Sequence, residues 1–249
     1  MNLIFGRMNY LCVVGLIILT GSAYAQNAET ASPPVDAVFF YAAGQVGVPM
    51  GDLKKAIYND LGNLGGGLSL GLLFNPYGIK RATPVHVGLD FGYLTYGVDK
   101  IAASGSNPPL KTSFNVYTIG PAARILLAHK NGFTPFIDGS IGAKIFNTRT
   151  KVDKDITNII LNTNQPEVIN TTNDTSLGYS VGIGFFNHKE ATGSMTGSFT
   201  LRVMYLWGNE ARYVLRDSIT VDANANVQFK TGYTRTDMIL VQLGFVLFQ

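Results

Sequence analysis

The sequence predicts an all-β fold: an antiparallel up-and-down transmembrane β-barrel of eight strands. Three observations indicate it. Apolar residues alternate with small or polar residues, with period two, in segment after segment of the chain. The second set consists mainly of Gly, Ser, Ala and Thr, which suit a narrow barrel interior better than a water-facing surface. Long polar connections alternate with short ones, which is typical of transmembrane barrels.

The first residues have the pattern of an export signal. Arg7 precedes an apolar run, and Ala23 and Ala25 place small residues at the two positions that a signal peptidase reads. The run is only about half as long as a membrane-spanning helix, which needs about 20 residues. We therefore predict a signal peptide that is cleaved between Ala25 and Gln26.

The rest of the chain divides into a short lead-in segment and one domain. Residues 26–37 are rich in Ala, Ser, Thr and Pro and are predicted to form a flexible periplasmic lead-in. Residues 38–249 form the predicted barrel domain. The only cysteine, Cys12, lies in the signal peptide, so we expect no disulfide in the mature protein. The net charge of +3 does not suggest nucleic acid as a partner.

Eight alternating segments are candidate strands. The clearest begins at Met195 and places Phe199, Val203 and Trp207 on one face. The first segment is the least regular, because the three aromatic residues Phe39, Phe40 and Tyr41 are consecutive and do not alternate with polar residues. The segments are residues 38–48, 68–74, 85–93, 117–127, 137–145, 176–185, 195–207 and 239–248.

Aromatic residues on the apolar face are predicted to lie at the two membrane interfaces, as in the aromatic girdles of transmembrane barrels. The alternative is that they are ordinary core aromatics. The predicted interface residues near the long connections are Tyr93, Tyr117, Tyr179, Tyr205 and Trp207, and those near the short connections are Phe74, Phe185 and Phe245.

Six ionisable residues fall on the inward face: His86, Asp90, Arg124, Asp138, Lys144 and Arg202. One interpretation is a salt-bridge network that fills the lumen, since unpaired buried charge is costly. The other is a narrow ion path whose selectivity these charges set. Inward glycines would leave room for such a path, whereas Leu126, Phe136 and Phe146 would fill it. These glycines are residues 67, 71, 88, 92, 120, 142, 178, 182 and 184.

The connections differ in length and character. Residues 52–63, 98–113, 148–175 and 208–232 are predicted to be long loops on one side. Two interpretations are open for residues 148–175 and 220–229: they extend the strands as hairpins, or they are solvated loops. In the first long loop, Leu53, Ile57 and Leu61 at a spacing of four predict a short helix, ended by Gly62, that caps the barrel mouth. Both chain ends are predicted to lie on the opposite, short-connection side.

This pattern resembles that of the small eight-stranded outer-membrane proteins that include the OmpA membrane domain and OmpX. The resemblance covers nearly all of residues 38–248. It implies the outer membrane of a Gram-negative bacterium, contact with outer-membrane lipid, and recognition of a terminal aromatic residue by the barrel-insertion machinery. Here Phe248 is penultimate and Gln249 is last, which departs from that pattern.

No motif for catalysis accompanies the pattern. The three histidines, His86, His129 and His188, have no Ser two residues away, and Asp153 and Asp155 lack the spacing of a calcium site. We expect no enzyme activity, no metal and no cofactor. The expected function is a contribution to envelope structure, or binding of an unidentified extracellular ligand through the long loops. A small passive channel and a barrel enzyme acting on lipid are the alternatives.

Overall fold

The computed structural model describes residues 37–56, 64–101, 109–127, 132–152, 168–188, 196–215, 220–221 and 227–248. The predicted signal peptide, its cleavage site, nearly all of the lead-in and the helix end at Gly62 lie outside these residues. Within the described part of the chain, no helix is both long and apolar enough to cross a membrane.

Eight strands form a closed antiparallel barrel, in which β1 pairs with the last strand, β12. The order around the barrel is β1-β2-β3-β4-β5-β6-β7-β12. The barrel strands are β1 Val38–Pro49, β2 Gly65–Phe74, β3 Val85–Ile101, β4 Leu110–Leu126, β5 Gly132–Val152, β6 Val168–His188, β7 Thr196–Gly208 and β12 Met238–Phe248. The remaining elements are the helix α1 Gly51–Ala56, the 3-10 turn Gly78–Lys80, and the strands β8 Glu210–Val214, β9 Thr220–Val221, β10 Val227–Gln228 and β11 Thr231–Arg235.

All eight predicted strands are present, and both ends of the barrel chain lie on the short-connection side as predicted. Phe39 pairs with Phe248, and the amide of Asn75, at the start of a short connection, donates to the Ala37 carbonyl at 2.9 Å. The predicted loops 98–113 and 148–175 are wrong in extent, because strands occupy much of both. In the second region, the paired ends of β5 and β6 form the strand extension that is one of the two expectations for it. Beyond the apolar zone both faces of a strand meet polar surroundings, so the alternation that marks a strand is lost from the sequence.

The outer surface of the barrel is apolar around its circumference. Leu68, Leu89, Ile183 and Phe245 are 62%, 59%, 65% and 66% exposed, and they lie on four different strands. A continuous apolar belt of this kind far exceeds the patches on soluble monomers. The residues that face outward are those of the apolar face that the sequence predicts. Lipid is the solvent that suits such a face.

The interior is packed with large side chains, although glycines line it. A Cβ at Gly71 would collide with the Tyr41 ring, and one at Gly184 would collide with the Phe136 ring. Gly182 abuts the Met204 side chain in the same way. The expectation that inward glycines leave an open path is therefore wrong at these positions, because each absent side chain makes room for a large neighbour.

Two apolar clusters fill the lumen above and below a polar belt. The cluster nearest the short connections, here called the lower plug, consists of Phe39, Tyr41, Leu73, Ala122, Leu126, Phe136, Phe186 and Val246. The cluster nearest the long connections, here called the upper plug, consists of Leu53, Leu94, Tyr96, Val116, Phe146, Met204, Leu206, Ala211, Met238 and Leu240. All three expected space fillers, Leu126, Phe136 and Phe146, lie in these plugs.

The first long connection contributes to the upper plug through α1. This helix begins at Gly51, whose φ of 55° lies in the left-handed region that favours glycine. Leu53 is fully buried in the upper plug, as expected for a helix that caps the barrel mouth. On the same side β8 pairs with β11, and the backbone amide of Arg212 in β8 donates to the Asp174 carboxylate of β6.

Candidate functional site in the barrel lumen

Four of the six predicted lumen residues meet in the polar belt, each from a different strand. Asp90 comes from β3, Arg124 from β4, Asp138 from β5 and Arg202 from β7. Arg124 stands directly opposite Asp138 in the β4–β5 ladder. Because alternate residues of a strand share a face, the inward parity of these strands aims all four side chains into the lumen.

The four charges form one continuous chain of ion pairs. Arg124 Nη2 lies 2.9 Å from Asp138 Oδ2, and Arg202 Nε lies 2.9 Å from the same oxygen. Arg202 Nη2 lies 2.7 Å from Asp90 Oδ2. The side chains of Arg124, Asp138 and Arg202 are at most 3% exposed. Two cations thus balance two anions, as a buried network requires.

A set of neutral polar groups continues the chain across the lumen. Arg202 Nη1 donates to the Tyr41 hydroxyl at 2.9 Å and to Gln242 Oε1 at 3.0 Å. Gln242 Nε2 then donates to Gln45 Oε1 at 2.9 Å. Gln45 Nε2 donates to the backbone carbonyls of Leu68 and Tyr93, which anchors the network to the wall. Together these contacts join strands on opposite sides of the barrel.

Aromatic rings seal the lower side of this network. The Arg124 guanidinium lies 3.8 Å from the centre of the Phe136 ring and 5.1 Å from that of Tyr41. The Arg202 guanidinium lies 5.3 Å from the Tyr41 ring centre. All three separations are within the range of cation–π attraction, which is stronger where water is excluded. Tyr41 therefore contacts both arginines and belongs to the lower plug as well.

The other two predicted lumen residues lie apart from this network. His86 is buried in the lower part of the barrel, edge-on to Phe39 with ring centres 4.3 Å apart. Lys144 lies on the upper side, where its ammonium donates to the Thr236 carbonyl. The predicted set thus divides among three levels of the lumen, and only its central four members form ion pairs with one another.

A small cavity remains between the ion-pair chain and Lys144. Its volume is about 30 Å³, and Asp90, Thr118, Ser140, Lys144, Ser180 and Gln242 are among its lining residues. A space of this volume has room for about two water molecules. Within the described residues, the two apolar plugs lie above and below this cavity.

The predicted interface aromatics form two bands on the outside. In the band near the long connections, Tyr93 and Tyr117 have ring centres 5.2 Å apart, and Trp207 lies 5.5 Å from Tyr179 and 4.6 Å from Tyr205. In the opposite band, Phe185 packs on Phe133 with ring centres 4.9 Å apart, Phe245 lies edge-on to Phe199 at 6.4 Å, and Phe74 is 44% exposed at the end of β2. The role of these rings at a lipid interface stays a prediction.

Sequence reasoning missed Tyr41, Gln45 and Gln242 as members of the network. Three consecutive aromatic residues obscure the parity of β1, and β12 has apolar residues on both faces. The signal that could have found them is the register of the closing pair, which places Gln45 directly opposite Gln242. Two amide side chains at one level of an otherwise apolar strand pair indicate a shared polar layer.

The described residues contain no cluster of three or more His, Cys, Asp or Glu side chains that could hold a metal ion. His86 is 2% exposed and packed against an aromatic ring, so it is out of reach of a substrate. The backbone of His188 pairs with Gly132 at the end of β6, and His129 lies outside the described residues.

The fold and the lumen define a class: a small eight-stranded antiparallel barrel of the outer-membrane kind, with an apolar exterior and a filled interior. This architecture confirms the resemblance predicted from the sequence. No family model matches the chain, and no curated protein matches it.

Several solved structures are similar to this chain. Neisserial surface protein A is 13% identical, with 85% of this chain and 96% of that chain covered and a TM-score of 0.38. The attachment invasion locus protein Ail of Yersinia pestis is 13% identical, with 87% and 98% covered and a TM-score of 0.40. A major outer membrane protein from Thermus thermophilus is 13% identical, with 86% and 100% covered and a TM-score of 0.47. The fold assignment rests on the closed sheet of this chain itself.

Proposed function

We propose that this protein is a non-conducting, non-enzymatic barrel of a Gram-negative outer membrane, which supports the envelope and binds at the cell surface through its long connections. The observation that carries the proposal is the ion-pair chain of Asp90, Arg202, Asp138 and Arg124 closed between two apolar plugs. A lumen filled in this way acts as the core of the barrel, and the functional surface is then on the loops.

The dimensions of the outer surface support insertion into a bilayer. Ten residues separate Tyr117, in one aromatic band, from Leu127 at the opposite end of the apolar belt. At about 3.3 Å per residue and a strand tilt of about 40°, this corresponds to a height of about 25 Å. The apolar band of outer-membrane barrels has about that height. We propose as well that the predicted signal peptide directs export and that the barrel-insertion machinery inserts the chain into the membrane.

The elements on the long-connection side support a surface role. β5 and β6 are 21 residues each, about twice what a tilted strand needs to cross a bilayer. Their paired ends project beyond the aromatic band, and the β8–β11 hairpin lies beside β6 there. Paired strands form a firmer surface than free loops, because most of their backbone groups are already hydrogen-bonded.

The alternatives have less support. A passive channel needs an open path, and the side chains of Tyr41 and Phe136 occupy the space beside the inward glycines. An enzyme acting on lipid needs an accessible nucleophile beside a base, and the described histidine side chain, that of His86, is buried.

Conductance tests the proposal. We expect the refolded mature protein to give no conductance steps in a planar bilayer, because the plugs and the ion-pair chain leave no continuous water path. A heat-dependent shift in gel mobility of the same preparation establishes that the barrel is folded, and a large general porin added afterwards establishes that the bilayer reports an open lumen. Steady, reproducible steps from the folded barrel, altered in size by Arg202→Gln, would instead identify it as a channel.

A further inference from the structure

The outward face of β3, β4, β5 and β6 changes in chemistry with height above the upper aromatic band. On β4, Tyr117 is followed outward by Asn115, Ser113 and Lys111. On β5, Ile145 is followed by Asn147, Arg149 and Lys151 in the same alternation. The order is therefore aromatic or apolar, then amide, then cation, as expected for a surface that passes from hydrocarbon through a polar interface to charged groups.

The amide level is a hydrogen-bonded ladder across four strands. The Tyr93 hydroxyl donates to Asn115 Oδ1 at 3.0 Å, and Asn115 Nδ2 donates to Asn147 Oδ1 at 3.3 Å. Asn147 Nδ2 then donates to Asn173 Oδ1 at 2.6 Å. This ladder joins the aromatic band directly to the polar level beneath the cations.

The cations, here called the basic row, are Lys100, Lys111, Arg149 and Lys151. In the register, Lys100 is directly opposite Lys111, and Lys111 is directly opposite Lys151. Arg149 is directly opposite Ser113, one diagonal step from Lys111. Directly opposite residues on one face have Cβ atoms about 5 Å apart, so three ammonium groups start from neighbouring positions on three strands.

The directly opposite pair of Lys111 and Lys151 is unfavourable without an anion, because like charges directly opposite one another destabilise a strand pair. Among the described residues, Lys111, Arg149 and Lys151 form no ion pair. Lys111, Arg149 and Lys151 thus place three cations close together on one side of the barrel.

We propose that the basic row binds the phosphate groups of an anionic glycolipid in the leaflet that surrounds the upper half of the barrel. This inference rests on the proposed location in an outer membrane. Arg149 is four residues beyond the level of Tyr117, and Lys111 is six residues beyond it. At about 3.3 Å per residue and a tilt of about 40°, these cations lie about 10 to 15 Å above the aromatic band.

That height favours a sugar-borne phosphate. Ordinary headgroups extend only about 5 to 8 Å beyond the hydrocarbon on each side. Sugar rings in a headgroup add to the thickness of the polar layer and can carry phosphates farther from the hydrocarbon, and the long side chains of lysine and arginine can bend toward such phosphates. Arginine and lysine also bind phosphate through charge-assisted hydrogen bonds.

The test compares lipid retention by the full mature chain in vesicles. Phosphatidylcholine vesicles contain either bis-phosphorylated lipid A or the same lipid A with its phosphates removed, and lipid A that co-purifies with the barrel is measured by mass spectrometry. We expect the natural sequence to retain the phosphorylated form selectively. The variant Lys111→Gln/Lys151→Gln should lower the affinity of the barrel for phosphorylated lipid A about 30-fold, since each cation at an anionic surface contributes about fivefold.

The matched control is Lys54→Gln/Lys55→Gln, which removes two exposed cations from α1 on the same side of the barrel and should leave retention unchanged. Equal retention of both lipid A forms, or an equal loss in both variants, would overturn the inference. So would binding of soluble dextran sulfate that depends on the basic row while lipid A is not retained, because the site would then serve a soluble polyanion. A chain that fails to insert at all contradicts the proposed function, whereas an inserted chain without phosphate-dependent retention contradicts this inference alone.

Discussion

Replacing Asp138 with asparagine is expected to lower the free energy of unfolding of the barrel by about 3 to 5 kcal/mol, the cost of breaking a buried ion pair by removing one partner. A single oxygen of Asp138 lies 2.9 Å from both Arg124 and Arg202. Without its charge, two buried guanidinium groups share Asp90 as their only network anion. Urea unfolding of the protein refolded into vesicles, followed by the heat-dependent shift in gel mobility, measures the change.

Two further variants separate charge balance from general damage. Asp52→Asn removes a carboxylate from an exposed pair, in which the Asp52 and Lys55 side chains are 66% and 83% exposed, so it should cost less than about 1 kcal/mol. In Asp138→Asn/Arg124→Met, one cation, Arg202, and one anion, Asp90, remain in the network, so the charges balance again. This double variant should recover part of the lost stability. If Asp138→Asn were no more harmful than Asp52→Asn, the ion-pair chain would not be what holds the lumen together.

A positive charge on the outer belt is expected to have an effect of similar size. Leu89 is 59% exposed, faces outward on β3 and lies between the two aromatic bands. Leu89→Arg should cost about 2 to 4 kcal/mol, as arginine does at the lipid face of a barrel near the bilayer midplane. The same urea unfolding in vesicles measures it.

The matched substitution on the same strand is Val98→Arg. Val98 also faces outward and is 43% exposed, but it lies beyond Tyr93 on the projecting part of β3. Its cost should be about 0 to 1 kcal/mol, because arginine is tolerated close to or beyond the interface. Equal costs at the two positions would mean that the belt between the bands is not in contact with hydrocarbon.

The barrel itself could be predicted from the sequence because its two faces meet different solvents over the apolar zone. Leu68, Leu70 and Leu72 alternate with small residues, and the second face of such strands has few charged residues. This pattern is explained by a strand that faces lipid on one side and a narrow barrel lumen on the other. The projecting ends of β5 and β6 carry no such contrast. Thr148, Arg149 and Thr150 resemble a loop in composition, and only their register with neighbouring strands identifies them as sheet.

The composition of the lumen network could be predicted, but not its arrangement. Parity alone indicates that Asp90, Arg124, Asp138 and Arg202 point inward. It does not give the relative height of residues on different strands, which depends on the register and tilt of the closed sheet. For the same reason His86 and Lys144 could not be separated from the central four. Nor could the glycines be recognised as recesses for Tyr41 and Phe136, since those contacts cross between strands.

Depth-dependent quenching of Trp207 tests most directly whether this is a lipid-embedded barrel. Trp207 is the only tryptophan of the chain, and it faces outward in the upper aromatic band beside Tyr179 and Tyr205. In vesicles of brominated phosphatidylcholine, we expect its fluorescence to be quenched most strongly by bromine near the headgroup end of the acyl chain and only weakly by bromine at the chain end. Absence of quenching by any brominated lipid, or strongest quenching at the bilayer centre, would contradict the account.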